Sequence, residues 1–140
     1  MRVSLSLRGD YAVRAMLVLG GSDPAVPMSA RRIALQTGIP ARFVAHVLTD
    51  LGRRGLVVGS PGRAGGYRLA APAREIDLLQ IVDAVDGSDA DPRCVLRGGA
   101  CDVNGRCAVH DAFAAASQAL RTELRAASLA ELVSRQASGN

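Results

Sequence analysis

Three cysteines close together are the residues of this chain whose chemistry is most specific. Cys94, Cys101 and Cys107 are its only cysteines, and they fall within a stretch of fourteen residues. The surrounding segment, 88–107, is rich in Gly and Asp and has neither helical nor strand periodicity. An odd number of cysteines in one short stretch favours metal ligation or redox sensing over a disulfide framework. We therefore predict that the three thiolates converge on one metal centre.

A fourth ligand is needed to complete such a centre, and two residues are candidates. His110 follows Cys107 by three residues, which is the spacing of neighbours on one helix face. Asp10 is the alternative, supplied by the first predicted helix of either subunit of a dimer. Glycines in the cysteine segment leave the backbone free to wrap a centre and to direct N–H groups at sulfur, which favours an iron–sulfur cluster.

A structural zinc ion and a bare thiol switch are the two alternative interpretations of these cysteines. Zinc also binds three cysteines and one histidine, but zinc sites usually contain a closely spaced pair, and no two cysteines here are so close. A thiol oxidoreductase typically needs a Cys-x-x-Cys pair, which the chain also lacks. We therefore predict a binding protein without catalytic residues, and not an enzyme.

The elements that must position these ligands follow from the spacing of apolar residues and from helix-capping signals. Two helices joined by a Gly-containing turn, then a strand, a basic loop and a second strand, are typical of a winged helix-turn-helix. We predict a mainly α (α+β) fold with a long C-terminal dimerisation helix. The predicted helices are 8–20, 30–37, 40–53, 78–85, a long one from Ala108 and a short one after Ser128 through Val133, and the predicted strands are 56–59 and 66–69.

The charge of the chain is distributed unevenly, and its first part is basic. Residues 1–75 carry eleven arginines against four acidic residues, whereas residues 76–140 carry six against nine. A basic first half is expected of a surface that binds nucleic-acid phosphates. With Val44 and its apolar neighbours facing the core, the other face of the third helix is free to enter a major groove. The predicted DNA-contacting residues are Arg31, Arg32, Arg42, Ala45, His46, Thr49 and Arg63.

A symmetric dimer is expected because a single winged helix contacts few phosphates and binds weakly at physiological salt. An apolar stripe on the last long helix, which includes Phe113 and Leu120, is the predicted dimer surface. We divide the chain into a DNA-binding region (1–75), a linking helix with the cysteine-rich loop (76–107), and a dimerisation helix with its tail (108–140). The sequence lacks a signal peptide and any apolar run long enough to span a membrane, so we expect a cytoplasmic protein without a membrane partner.

The chain resembles the Rrf2 family of winged-helix transcriptional regulators over nearly its whole length. The resemblance depends on the combination of motifs, because each motif alone is common. The matching segments are 1–4 and 10–16 in the first helix, 55–57 and 62–67 around the wing, 81–87 in the fourth helix, and the three-cysteine loop.

This resemblance implies a homodimeric regulator whose affinity for a double-stranded operator is switched by an iron–sulfur cluster. The signal would be redox state, nitric oxide or iron–sulfur status. Cys94, Cys101 and Cys107 match the family's cysteine ligands. The IscR-like pattern, met by His110, implies a 2Fe–2S cluster, which we favour; the NsrR-like pattern, met by Asp10, implies a 4Fe–4S cluster. The spacing between the first two cysteines exceeds the IscR-like spacing by one residue.

Overall fold

The computed structural model describes residues 1–88, 94–96 and 106–139. Two antiparallel strands and several helices build the fold, and the predicted mainly helical winged-helix architecture is confirmed. The elements are α1 (Leu7–Gly20), α2 (Ala30–Thr37), α3 (Ala41–Arg53), β1 (Val57–Ser60), β2 (Gly66–Leu69), a 3-10 turn (Ala73–Glu75), α4 (Leu78–Asp86), α5 (His110–Ala126) and α6 (Leu129–Ser138). Within the described ranges, no helix is both long and apolar enough to cross a bilayer.

Polar residues at the starts of four helices explain where these helices begin. The side chains of Ser6, Ser29, Asp77 and Ser128 each accept a hydrogen bond from a backbone N–H of the first helical turn. Such caps satisfy donors that have no partner within the helix. Asp77 and Ser128 also form reciprocal capping boxes. The starts predicted for the helices at residues 30, 78 and 129 are therefore confirmed.

Five predicted helix ends differ from the structure, and two of the differences are that α1 begins one residue earlier, at Leu7, and α4 ends one residue later, at Asp86. The predicted strand 56–59 is also shifted by one residue, to Val57–Ser60. Pro40 is the N-cap of α3 and not its first helical residue. The long helix α5 begins at His110 instead of Ala108, because the two preceding residues form a turn. The last helix continues beyond Val133, since the polar residues that follow keep the helical hydrogen bonds until Gly139. Polar, exposed residues carry no apolar periodicity, so the pattern could not show this extension.

The core lies where α1, α3 and α4 pack against each other. The inward faces of α1 and α3 agree with the apolar spacing of the sequence, except that Tyr11 is only half-buried. Burying these side chains is the main favourable contribution to folding. The buried residues of these three helices are Gly9, Ala12, Ala15, Met16, Leu19, Val44, Val47, Leu48, Leu51, Leu79, Ile81 and Val85.

The wing is attached to the rest of the domain through the segment before α2. Met28 and Tyr67 exchange two backbone hydrogen bonds, with N···O distances of 2.8 and 2.7 Å. Gly66 precedes this bridge with a φ of 145°, and a Cβ atom there would lie 2.6 Å from the Met28 carbonyl carbon and oxygen. Only glycine permits both this backbone conformation and this close approach.

We expect Gly66→Ala to destabilise the protein by about 2 kcal/mol or more, because the added methyl group collides with backbone and not with a flexible side chain. Urea denaturation of the variant measures the change in the free energy of unfolding. Gly62→Ala is the matched control in the same loop, since Gly62 also has a positive φ (94°) but open space around its Cα. A loss no larger than that of Gly62→Ala would contradict the collision.

Helix α6 folds back and joins the start of α4. The N–H of Leu78 donates to the Ala127 carbonyl (2.9 Å), and the N–H of Leu129 donates to the Ile76 carbonyl (2.7 Å). Leu129 is fully buried, and Gly20 of α1 lies so close that a Cβ there would approach Leu129 at 3.1 Å. The far end of α5 is therefore fixed to the body of the domain.

Candidate functional site

Helix α3 presents a polar face directly away from the core. Val44, Val47, Leu48 and Leu51 are buried, and the side of the helix opposite to them carries exposed polar residues. A helix that protrudes in this way can enter a major groove. All seven residues expected to contact DNA are exposed: Arg31, Arg32, Arg42, Ala45, His46, Thr49 and Arg63.

Two of these side chains already have contacts within α3. The guanidinium of Arg42 lies 4.8 Å from the centre of the Phe43 ring, a cation–π contact that holds it along the helix. The hydroxyl of Thr49 donates to the Ala45 carbonyl at 2.9 Å. Its oxygen can therefore still accept a hydrogen bond from a base amino group, but its proton is already engaged.

Asp50 also lies at this face, although it is not among the residues predicted from the sequence to contact DNA. Its carboxylate pairs with Arg8 of α1, and the Arg53 guanidinium lies 3.8 Å away. Asp50 thus joins the recognition helix to α1 at the edge of a groove of about 370 Å³. Tyr11 and Phe43 form part of the apolar floor of this groove, with ring centres 5.8 Å apart. The sequence does contain one indication that Asp50 is special, because Asp50 is the one acidic residue within an otherwise basic helix.

The wing loop and the start of α2 carry the other arginines that are predicted to contact DNA. Arg63 is exposed at the tip of the loop, which is closed by a hydrogen bond from the Gly65 N–H to the Gly62 carbonyl (3.1 Å). Arg31 and Arg32 lie in the first turn of α2. A helix N-terminus with arginines beside it is suited to contact the phosphate backbone.

Two of the three cysteines, Cys94 and Cys107, lie within the described residues. Cys94 is buried, with 6% of its surface exposed, and Cys107 is half-buried. His110 is the half-buried first residue of α5, and its backbone N–H donates to the Cys107 carbonyl at 3.1 Å. Cys107 and His110 therefore lie on one turn at the start of α5, with Cys107 before the first helical residue.

Cys101 and most of the cysteine segment lie outside the described residues, so the convergence of the three thiols stays a prediction. Among residues 1–88, 94–96 and 106–139, no three His, Cys, Asp or Glu side chains gather in a way that could hold a metal ion. The donor chemistry nevertheless fits an iron–sulfur cluster: a buried thiol, a half-buried thiol and the residue that carries an imidazole border the segment that contains the remaining cysteine.

Asp10, the alternative fourth ligand, is already paired in the structure. The Arg14 guanidinium donates to its carboxylate, with an Nε···O distance of 3.0 Å. Arg14 also donates to the Thr37 carbonyl at 3.3 Å, which holds it in place. Metal binding by Asp10 would require displacement of this arginine, whereas His110 is the first residue of α5 and follows Cys107 by three residues.

Helix α5 is the most exposed helix of the described structure. None of its seventeen residues is buried, although Phe113 and Leu120 are large and apolar and are 39% and 41% exposed. Its main polar attachment to the domain is Arg121, which donates to both carboxylate oxygens of Asp83 in α4 at 2.9 and 3.3 Å. A partly exposed apolar stripe on a long helix is typical of a protein–protein interface.

The chain is similar in sequence to known transcriptional regulators along most of its length. Residues 5–135 match the model of the family described as Rrf2, iron-dependent transcriptional regulator. The HTH-type transcriptional regulator IscR of Escherichia coli O1:K1 is 33% identical over 132 residues, which cover 94% of this chain and 81% of the relative. A protein of Mycobacterium tuberculosis that is also named as an HTH-type transcriptional regulator is 31% identical over 128 residues, covering 91% and 80%.

Two solved structures share the fold. The global cysteine regulator CymR of B. subtilis superposes with a TM-score of 0.78 at 22% identity, covering 96% of this chain and 98% of that chain. T. potens IscR superposes with a TM-score of 0.77 at 21% identity, covering 96% and 88%. The relatives are named as regulators and not as enzymes, in agreement with the prediction that the protein is not an enzyme.

Proposed function

Since the chain belongs to the Rrf2 family of DNA-binding transcriptional regulators, we propose that it is a cytoplasmic homodimer whose operator affinity is set by an iron–sulfur cluster. The ligands are Cys94, Cys101, Cys107 and His110. The observation that carries the proposal is the position of Cys107 and His110 on one turn at the start of α5, next to the segment that also contains the other two cysteines.

The roles of the DNA-binding residues follow from their places in the fold. Arg42, Ala45, His46 and Thr49 on α3 read base edges in the major groove, where Ala45 permits close approach. The arginines at the start of α2 bind phosphates, and Arg63 reaches the backbone or a minor groove from the wing. The proposal keeps the three regions predicted from the sequence: residues 1–75 bind DNA, residues 76–107 sense the signal, and residues 108–140 form the dimer.

The cluster, when bound, supplies a centre that changes with redox state, nitric oxide or iron–sulfur status. The cysteine segment lies between α4 and α5, which the Asp83–Arg121 ion pair joins. A rearrangement of this segment shifts α5 relative to α4, and in a dimer built on α5 it changes the distance between the two recognition helices. A coupling of about 1–3 kcal/mol would change the affinity about 5- to 150-fold.

Regulation by a bare thiol switch or by a structural zinc ion is the alternative. Its support is the similarity of the fold to CymR, which is named as a global cysteine regulator. This alternative predicts a colourless protein. The response of its DNA affinity would then follow thiol oxidation or zinc removal and not iron and sulfide content.

A DNA-binding titration tests the proposed function. The probe is a duplex that the full-length protein enriches from a random-sequence pool, titrated with iron-loaded and metal-free protein at two salt concentrations. We expect the two forms to differ at least about fivefold in affinity. Equal affinities would contradict switching by the cluster.

Arg63→Ala tests the wing in the same titration. We expect about a tenfold loss of affinity, and a logarithmic salt dependence that is shallower by about one unit for each subunit, because a phosphate contact is removed. Arg135→Ala in α6 is the matched control, since it removes the same charge from an exposed site far along the chain. An unchanged salt dependence for Arg63→Ala would remove the wing from the DNA interface.

A further inference from the structure

The first turn of α1 is attached to two other helices, one on each side. Its N-cap residue, Ser6, contacts the last residue of α4, and Arg8 contacts α3. The cysteine segment begins just after α4, and α3 carries the DNA-reading face. The first turn of α1 therefore contacts both the helix that precedes the cysteine segment and the helix that carries the DNA-reading face.

The attachment to α4 is built from three closely packed residues. The hydroxyl of Ser6 donates to both carboxylate oxygens of Asp86, at 2.7 and 2.9 Å, and its oxygen accepts from the Gly9 N–H at 2.9 Å. Gly9 is buried, and a Cβ atom there would lie 3.2 Å from the Ser6 hydroxyl and 3.5 Å from Asp86. A carboxylate at a helix N-terminus is also favoured by the helix dipole. A movement of Asp86 must therefore move or release the start of α1.

The attachment to α3 is an ion pair. Arg8 donates to the carboxylate of Asp50, which is 19% exposed, while Arg8 itself is 59% exposed. An ion pair this exposed contributes little to global stability. It joins the first turn of α1 to the side of the recognition helix, where Asp50 lies four residues after His46.

We propose that Ser6, Arg8, Asp50 and Asp86 are positioning residues that transmit the state of the cysteine segment to the recognition helix through the first turn of α1. This proposal rests on the proposed function. A change at the start of the cysteine segment displaces Asp86, the N-cap of α1 follows, and Arg8 then alters the tilt of α3. The path lies within one subunit, so it acts in addition to any change of spacing across a dimer.

Hydrogen–deuterium exchange of the full-length, metal-free protein without DNA tests the link itself. Asp86→Ala is expected to raise the exchange rates of the α3 amides about fivefold or more and to leave those of α6 unchanged. Arg8→Gln is expected to have the same effect on α3. Asp23→Ala is the matched control, because Asp23 is an exposed aspartate whose carboxylate caps a loop N–H (2.9 Å). Unchanged α3 amides in Asp86→Ala would overturn the link, and so would a uniform rise throughout the chain.

DNA affinity then separates this inference from the proposed function. In Asp86→Ala and in Arg8→Gln, the affinity ratio between iron-loaded and metal-free protein is expected to fall to less than about twofold, while Asp23→Ala keeps the wild-type ratio. Arg8→Lys is expected to restore most of the ratio, since it keeps the cation. A wild-type ratio of one would overturn the proposed function, and the exchange experiment would still decide the link. A wild-type ratio that Asp86→Ala leaves intact would overturn the transmission path alone.

Discussion

Leu120→Asp is expected to abolish the proposed dimer, leaving a monomer, and to lower its operator affinity by about a hundredfold or more. The reason is that no residue of α5 is fully buried within the chain and that Leu120 and Phe113 stay 41% and 39% exposed, so a partner surface can cover them. A carboxylate in that surface loses its hydration without a partner. A monomer then contacts one half-site only and loses the gain that two linked half-sites provide.

Sedimentation velocity and the DNA titration measure these two effects separately. Gln118→Asp is the matched control, because Gln118 is exposed on the side of α5 away from the apolar stripe and receives the same new charge. This control is expected to stay dimeric. If Leu120→Asp also sediments as a dimer, the stripe on α5 is not the dimer surface.

His110→Ala is expected to reduce the iron and sulfide retained by the anaerobically purified protein about tenfold or more. Substitution of a residue that hydrogen-bonds a metal ligand typically lowers metal affinity ten- to a hundredfold, and removal of a ligand lowers it at least as much. Asp10→Ala is expected to leave iron and sulfide unchanged, because the Asp10 carboxylate is engaged by Arg14. Circular dichroism in the far ultraviolet, where α-helices dominate, verifies that both variants are folded.

If iron and sulfide depend on Asp10 and not on His110, Asp10 is the fourth ligand of the cluster. Loss of the cluster in Asp10→Ala, with retention in His110→Ala, would mean that Arg14 leaves the carboxylate when the cluster binds. Loss in neither variant would mean that neither residue is the fourth ligand.

The local features of the fold could be predicted because they depend on residues close together in the sequence. The buried face of α3 follows from apolar residues at helical spacing, and the start of α6 follows from the capping box at Ser128. The wing follows from a Gly-rich basic loop between two short strands. Each of these signals spans fourteen residues or fewer, so it depends on sequence that is local in the chain.

The contacts that connect these elements could not be predicted in the same way. Ser6 and Asp86 are 80 residues apart in the chain, and Arg8 and Asp50 are 42 apart. Which carboxylate a serine or an arginine meets depends on how the helices pack, and no periodicity encodes that choice. The spacing of Cys107 and His110 was informative for the opposite reason, because a single turn of chain sets their separation.

The iron, acid-labile sulfide and zinc content of the protein purified without oxygen, together with its visible absorption spectrum, is the most direct test of the central claim. The account predicts a brown protein that contains iron and sulfide, with absorption bands that disappear in Cys101→Ala. A colourless protein with one zinc ion per chain, or with no metal at all, would contradict the iron–sulfur centre and leave only the DNA-binding part of the account.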